Sequence, residues 1–87
     1  MAKRRELKGA INYICDMLMA ECMVMSLRSE DLNKVEEVIA LICKTRKDFT
    51  SRVSHQEPGM VAKRYFGDVI EAFNLRTGEI LDQMEKL

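Results

Sequence analysis

Tryptophan is absent from the 87 residues, proline and histidine occur once each, and glycine occurs four times. So few turn formers do not supply the evenly spaced turns of an all-β sandwich or barrel, while 47% hydrophobic residues is too many for a disordered chain. Net charge is also missing. Fourteen Lys and Arg cancel fourteen Asp and Glu, which removes bulk electrostatics as a route to nucleic acid or membrane. No CxxC pair occurs. Cys15, Cys22 and Cys43 form an odd set that suits small apolar core fillers in a reducing, cytoplasmic protein better than a secreted disulfide framework. Cys15 and Cys22, seven apart on one helix, would stand about 10 Å apart, too far to bridge. The single His55 has no cysteine or carboxylate at ligand spacing, so no metal is expected. An uninterrupted hydrophobic run is lacking as well: Lys3, Arg4 and Arg5 precede Ala10–Leu27, but Asn12, Asp16, Glu21 and Ser26 break that stretch, which argues against a membrane anchor or cleaved leader.

What is present is helical periodicity over a single domain spanning 1–87. Leu7, Ile11, Ile14, Leu18 and Met25 fall on one face of a helix over about 5–27, with no strong N-cap to fix its start. After Arg28-Ser29-Glu30-Asp31, Asn33-Lys34-Val35-Glu36 reads as a capping box, with Ser29 and Asp31 as rival caps. A second helix over 32–54 turns Val35, Val38, Ile39, Ile42, Phe49 and Val53 inward. The break at His55-Gln56-Glu57-Pro58-Gly59 holds the only Pro-Gly step. A third helix over 61–86 repeats Phe66, Ile70, Phe73, Thr77, Ile80, Met84 and Leu87 at 4-3 spacing, and Gly67 and Gly78 within it suggest either tolerance or close approach of another backbone. Short connections make consecutive helices antiparallel. The predicted fold is all-α, an antiparallel up-down-up three-helix bundle.

Three features depart from a plain bundle. With Ile14 at zero and 100° per residue, Glu21 falls about 20° away, which predicts a carboxylate inside the core. Its expected partners are Arg76 or Thr77, and those of Arg46, which shares the inner stripe of the second helix, are Asp68 or Asp16; such pairs fix register more often than they catalyse. Met19 and Met23 fall about 140° and 180° from the seam, beside Ala20. With Leu75 they form a candidate self-association face, and a symmetric homodimer is the expected arrangement. The charges also separate along the bundle. One end collects Lys3, Arg4, Arg5, Lys8, Lys44, Arg46, Lys47, Arg52, Lys63 and Arg64 against Glu6, Asp48 and Glu57, ten against three or +7, and the remainder carries −7.

Lys3 to Lys8, Ile11 to Cys15 and Ser51 to Gly59 resemble segments of small, single-domain helical proteins of bacteria to which no activity is attached. The resemblance implies a helical fold and carries no functional residue. All-helical chorismate mutases are similar in size and dimeric, and Arg46, Arg52, Glu21 and Gln83 are residue types found in their sites. Their Arg-rich first helix is not matched, because no basic residue lies between Gly9 and Leu27. With no catalytic constellation and no cofactor motif, the leading expectation is a non-enzymatic helical protein–protein interaction module that self-associates. The alternative is binding of an anion, nucleic acid or acidic protein at the basic end, through Lys3, Arg4, Arg5, Lys8, Arg52, Lys63 and Arg64.

Overall fold

The computed structural model describes residues 2–55, 59 and 61–87. Three helices, α1 (Ala2–Ser26), α2 (Leu32–Ser54) and α3 (Ala62–Glu85), form an all-α three-helix bundle, with no strand among the described residues. α1 begins three residues before the expected Arg5. α2 starts from Asp31 instead of Asn33: the Asp31 carboxylate accepts the amides of Asn33 and Lys34 at 3.1 and 3.2 Å. That satisfies two of the amides a helix start leaves without an internal partner. The expected capping box is thereby displaced, and Ser29 Oγ instead accepts the amide of Asp31 at 3.2 Å. Of the segment between α2 and α3, Gln56, Glu57 and Pro58 lie outside the described residues, while Gly59 has φ +83°, a left-handed value that suits glycine.

The core runs along α2, which buries Val35, Val38, Ile42, Thr45, Phe49 and Val53. Thr45 is tolerated there because its hydroxyl donates to the Leu41 carbonyl at 2.7 Å. Phe49 meets Phe73 edge to face, with ring centroids 5.3 Å apart. α3 contributes Val69, Phe73, Ile80 and Met84, so Val69 takes the place expected for Ile70, which is 45% exposed. Phe66, Thr77 and Leu87 are half-buried.

In α1 the buried residues are Ile11, Cys15, Leu18 and Cys22. Their mean direction leaves Glu21 about 90° to one side, and Glu21 is exposed. The expected buried carboxylate is therefore corrected. The two thiols, small and apolar, draw the seam toward α2 and leave Ile14, Leu7 and Met25 half-buried at its margin. The same rotation carries Met19 inward, where it packs against the core. Gly67 and Gly78 face open space, since an added Cβ at either meets nothing within 4 Å; close backbone approach does not account for them.

α1 packs along α2 and touches α3 only sparsely. The molecule is correspondingly long, 48 × 18 × 15 Å, with a radius of gyration of 14.5 Å where a compact chain of this length has about 12 Å. Its accessible surface is 6334 Å², against about 5,300 Å² for a compact monomer of this mass. The open side lies between α1 and α3.

Candidate interaction surface

The outer face of α1 carries a second apolar stripe. Ala10, Tyr13, Met17, Ala20 and Val24 recur at 3-4-3-4 spacing, all exposed, and point about 150° away from the buried seam. Tyr13, Met17 and Val24 are 66%, 55% and 60% exposed. Beside the stripe, the splay of α3 opens a groove of about 490 Å³ lined by Ile14, Met17, Leu18, Glu21, Met25, Leu81, Met84 and Glu85. Its floor is apolar and its rim carries the carboxylates of Glu21 and Glu85. Surface of this kind on a helix is adaptable contact material, methionine above all.

The residues expected to form the self-association face do not come together. Met23 and Ala20 are exposed and Leu75 is 68% exposed, but Met19 is committed to the core. Leu75 stands on the side of α3 opposite Phe73, so it does not extend a patch on α1. Tyr13, Met17 and Val24 do not stand out on a wheel centred on Ile14, which places Met17 inside the seam. The signal was there in Cys15 and Cys22, whose spacing continues that of Ile11 and Leu18.

The polar residues singled out also separate. Arg46 pairs with Asp16, not with Asp68, which is exposed. Arg46 Nε is buried without a hydrogen-bond partner among the described residues, although the side chain as a whole is two-fifths exposed and that of Asp16 more so. Arg76 lies 5.8 Å from the Phe49 ring centroid and 3.8 Å from Glu79, and Thr77 Oγ1 donates to the Asn74 carbonyl at 2.9 Å. Neither is bonded to Glu21.

The Cys15 thiol lies beside Arg46, but burial pushes it up from its ordinary value of 9.0 and the guanidinium offsets only part of that. Burial raises Cys22 in the same way. Both are protonated at neutral pH and poor nucleophiles. No group of three or more His, Cys, Asp or Glu side chains is placed to hold a metal ion among the described residues, and no helix is long and apolar enough to cross a membrane among them.

At the opposite end from the groove, three helix termini converge. Arg4 stands 5.9 Å over the Phe66 ring and Arg52 4.6 Å over Phe49. The Tyr65 hydroxyl donates to the carbonyls of Arg52 and His55 at 2.9 and 3.2 Å, tying α3 to the end of α2. Arg4, Arg5, Arg52, Lys63 and Arg64 are exposed there and Lys8 is half-buried, while the side chain of Lys3 lies outside the described residues. Compared with known proteins, the chain matches no family model, no curated protein and no solved structure.

Proposed function

We propose that this chain is a helical protein–protein interaction module that associates with itself, as a homodimer, through the outer face of α1 and the adjoining groove. The observation that carries this reading is the second apolar stripe on α1, fully formed although the inner seam of the same helix is already complete. An amphipathic helix needs one apolar face to fold, and a second one is unfavourable in water unless something covers it. The excess of accessible surface over that of a compact monomer, roughly 1,000 Å², is of the size that one partner gives up in a standard interface, about 800 Å². Three unpaired thiols suit a cytoplasmic setting.

Light scattering after size exclusion tests it at low and high salt. A mass near twice the 10.1 kDa of the chain that persists at high salt supports the reading, because apolar association is not screened. A monomer at every concentration up to the millimolar range rejects it.

The convergence of Arg4, Arg5, Arg52, Lys63 and Arg64 on one end supports a second reading, capture of an anion or nucleic acid. Such binding weakens steeply with ionic strength. A nucleic-acid titration with a flat salt response removes it.

A further inference from the structure

The outer stripe of α1 is self-complementary when reversed end for end. Counted from Met17, Tyr13 lies four residues before and Glu21 four after, Ala10 and Val24 lie seven to either side, and Glu6 and Arg28 eleven to either side. All seven are exposed, and at α-helical spacing they fall within an arc of about 80° on the helix surface. Arg28 lies in the tighter turn that follows α1, where the amides of Leu27, Arg28 and Ser29 bond back three residues, at 3.3, 3.1 and 3.3 Å, which carries it about 40° past the α-helical position, to the margin of the stripe.

From this we infer the partner and its orientation: a second copy of the chain packs its α1 antiparallel against the first, with Met17 on the twofold axis and Tyr13 entering the partner's groove beside Glu21. The inference rests on the self-association reading above. In this register the partner's Val24 covers Ala10, large on small, and the Tyr13 hydroxyl donates to the partner's Glu21 carboxylate. The aromatic ring is then held by Met17, Met25 and Leu81, which line the open groove. At each end Glu6 faces the partner's Arg28.

Charge selects this orientation over the parallel one. A parallel pair in register sets Glu6 against Glu6, Glu21 against Glu21 and Arg28 against Arg28, all repulsive at close range. The antiparallel pair sets Glu6 against Arg28 at both ends, sets Glu21 against the neutral Tyr13, and opposes the helix dipoles. It also lays the basic end of one bundle, +7 by count, along the part of the other that carries the compensating −7. Closed twofold symmetry makes every such contact occur twice.

Cysteine crosslinking tests the register, in a Cys43→Ser background because Cys43 is the exposed thiol. Helices packed about 8–10 Å apart, each with Cα atoms about 2.3 Å from its axis, bring the Cα atoms of residues on the twofold to about 3.4–5.4 Å, and spacings above about 9 Å place them within disulfide reach. Met17→Cys is expected to form a covalent dimer on mild oxidation. Val24→Cys alone is not, since its two copies stand about 21 Å apart along the helices, but it should crosslink when mixed with Ala10→Cys. A second measurement needs no disulfide: Glu6→Arg should weaken the dimer severalfold, and Glu6→Arg with Arg28→Glu should restore it. A dimer by light scattering in which Val24→Cys crosslinks to itself, or in which the double charge swap fails to restore affinity, overturns the antiparallel register and leaves self-association standing. A wild-type monomer overturns both.

Discussion

Arg46 of α2 closes on Asp16 of α1 across the main interhelical seam, and it is the ion pair that links two helices among the described residues. It bonds in the middle of the bundle, where its level fixes how far α1 has slid along α2. The pair is partly exposed, so solvent and salt screen it, and its coupling energy in a double-mutant cycle with Asp16→Asn and Arg46→Gln should be about 0.2–1 kcal/mol, falling with added salt. Chemical denaturation of the four proteins measures it. A coupling above about 3 kcal/mol would place the pair in a drier setting than this.

Gly67 and Gly78 lie inside α3 with open space where a side chain would go. Each lowers helix stability relative to alanine by about 1 kcal/mol. Gly67→Ala and Gly78→Ala are therefore expected to stabilise the protein, by about 0.5–1 kcal/mol each and additively, since the two sites share no partner. Thermal melts read this directly, and destabilisation at either site would show an approaching backbone that the fold does not contain.

Glu21 and Met19 exchange the roles that periodicity alone assigns them. In a monomeric Met17→Glu background, Glu21→Gln should change stability by no more than about 0.5 kcal/mol, as for other exposed positions. Met19→Lys, which sets a charge on a side chain packed against the core, should cost about 1–3 kcal/mol. Equal effects would return Glu21 to the interior.

That exchange shows where the sequence is informative and where it is not. α2 is legible because it packs on both neighbours and is apolar along one stripe: Val35, Val38, Ile42, Phe49 and Val53 are all buried. The Asp31 cap was visible as an alternative, and tertiary placement of the connection decided it over Asn33. α1 is legible as a helix but not in its rotation. It has two apolar faces, and a wheel centred on Ile14 averages them. The inner one is set by α2, which the small thiols of Cys15 and Cys22 let approach. Long aliphatic side chains at the margin, such as Ile14 and Met25, outweigh thiols in any count of hydrophobicity and pull the centre toward the open side. The outer apolar stripe is hidden for the same reason, because a wheel centred on Ile14 counts Met17 as core. The separation of charge, by contrast, depends only on topology, and three helices in up-down-up order suffice to read it.

The buried thiols give a pH dependence of definite sign. Cys15 and Cys22 are raised above 9.0 by burial, so in the folded state they hold their protons where the unfolded chain has begun to release them. Their contribution to stability is complete below pH 9 and is lost as pH rises through the folded values. Stability measured by denaturant should fall above pH about 9, and less so in Cys15→Ala with Cys22→Ala. A thiol reagent at pH 8 should modify Cys43 quickly and the other two only on unfolding. Rapid modification of all three would mean that α1 opens away from α2 far more readily than its packing implies.

The central claim is that the outer stripe of α1, centred on Met17, is the surface through which the chain associates. Its most direct test is the molar mass, by light scattering after size exclusion, of the wild type beside Met17→Glu and Met23→Glu, with helicity followed by circular dichroism. Both methionines are exposed on α1, but only Met17 lies in the stripe. The account predicts that the wild type and Met23→Glu run at about 20 kDa and Met17→Glu at about 10 kDa, one and two copies being the states of a closed twofold dimer, with helicity unchanged in all three. A Met17→Glu protein that remains dimeric, or a wild type that is monomeric, would contradict it.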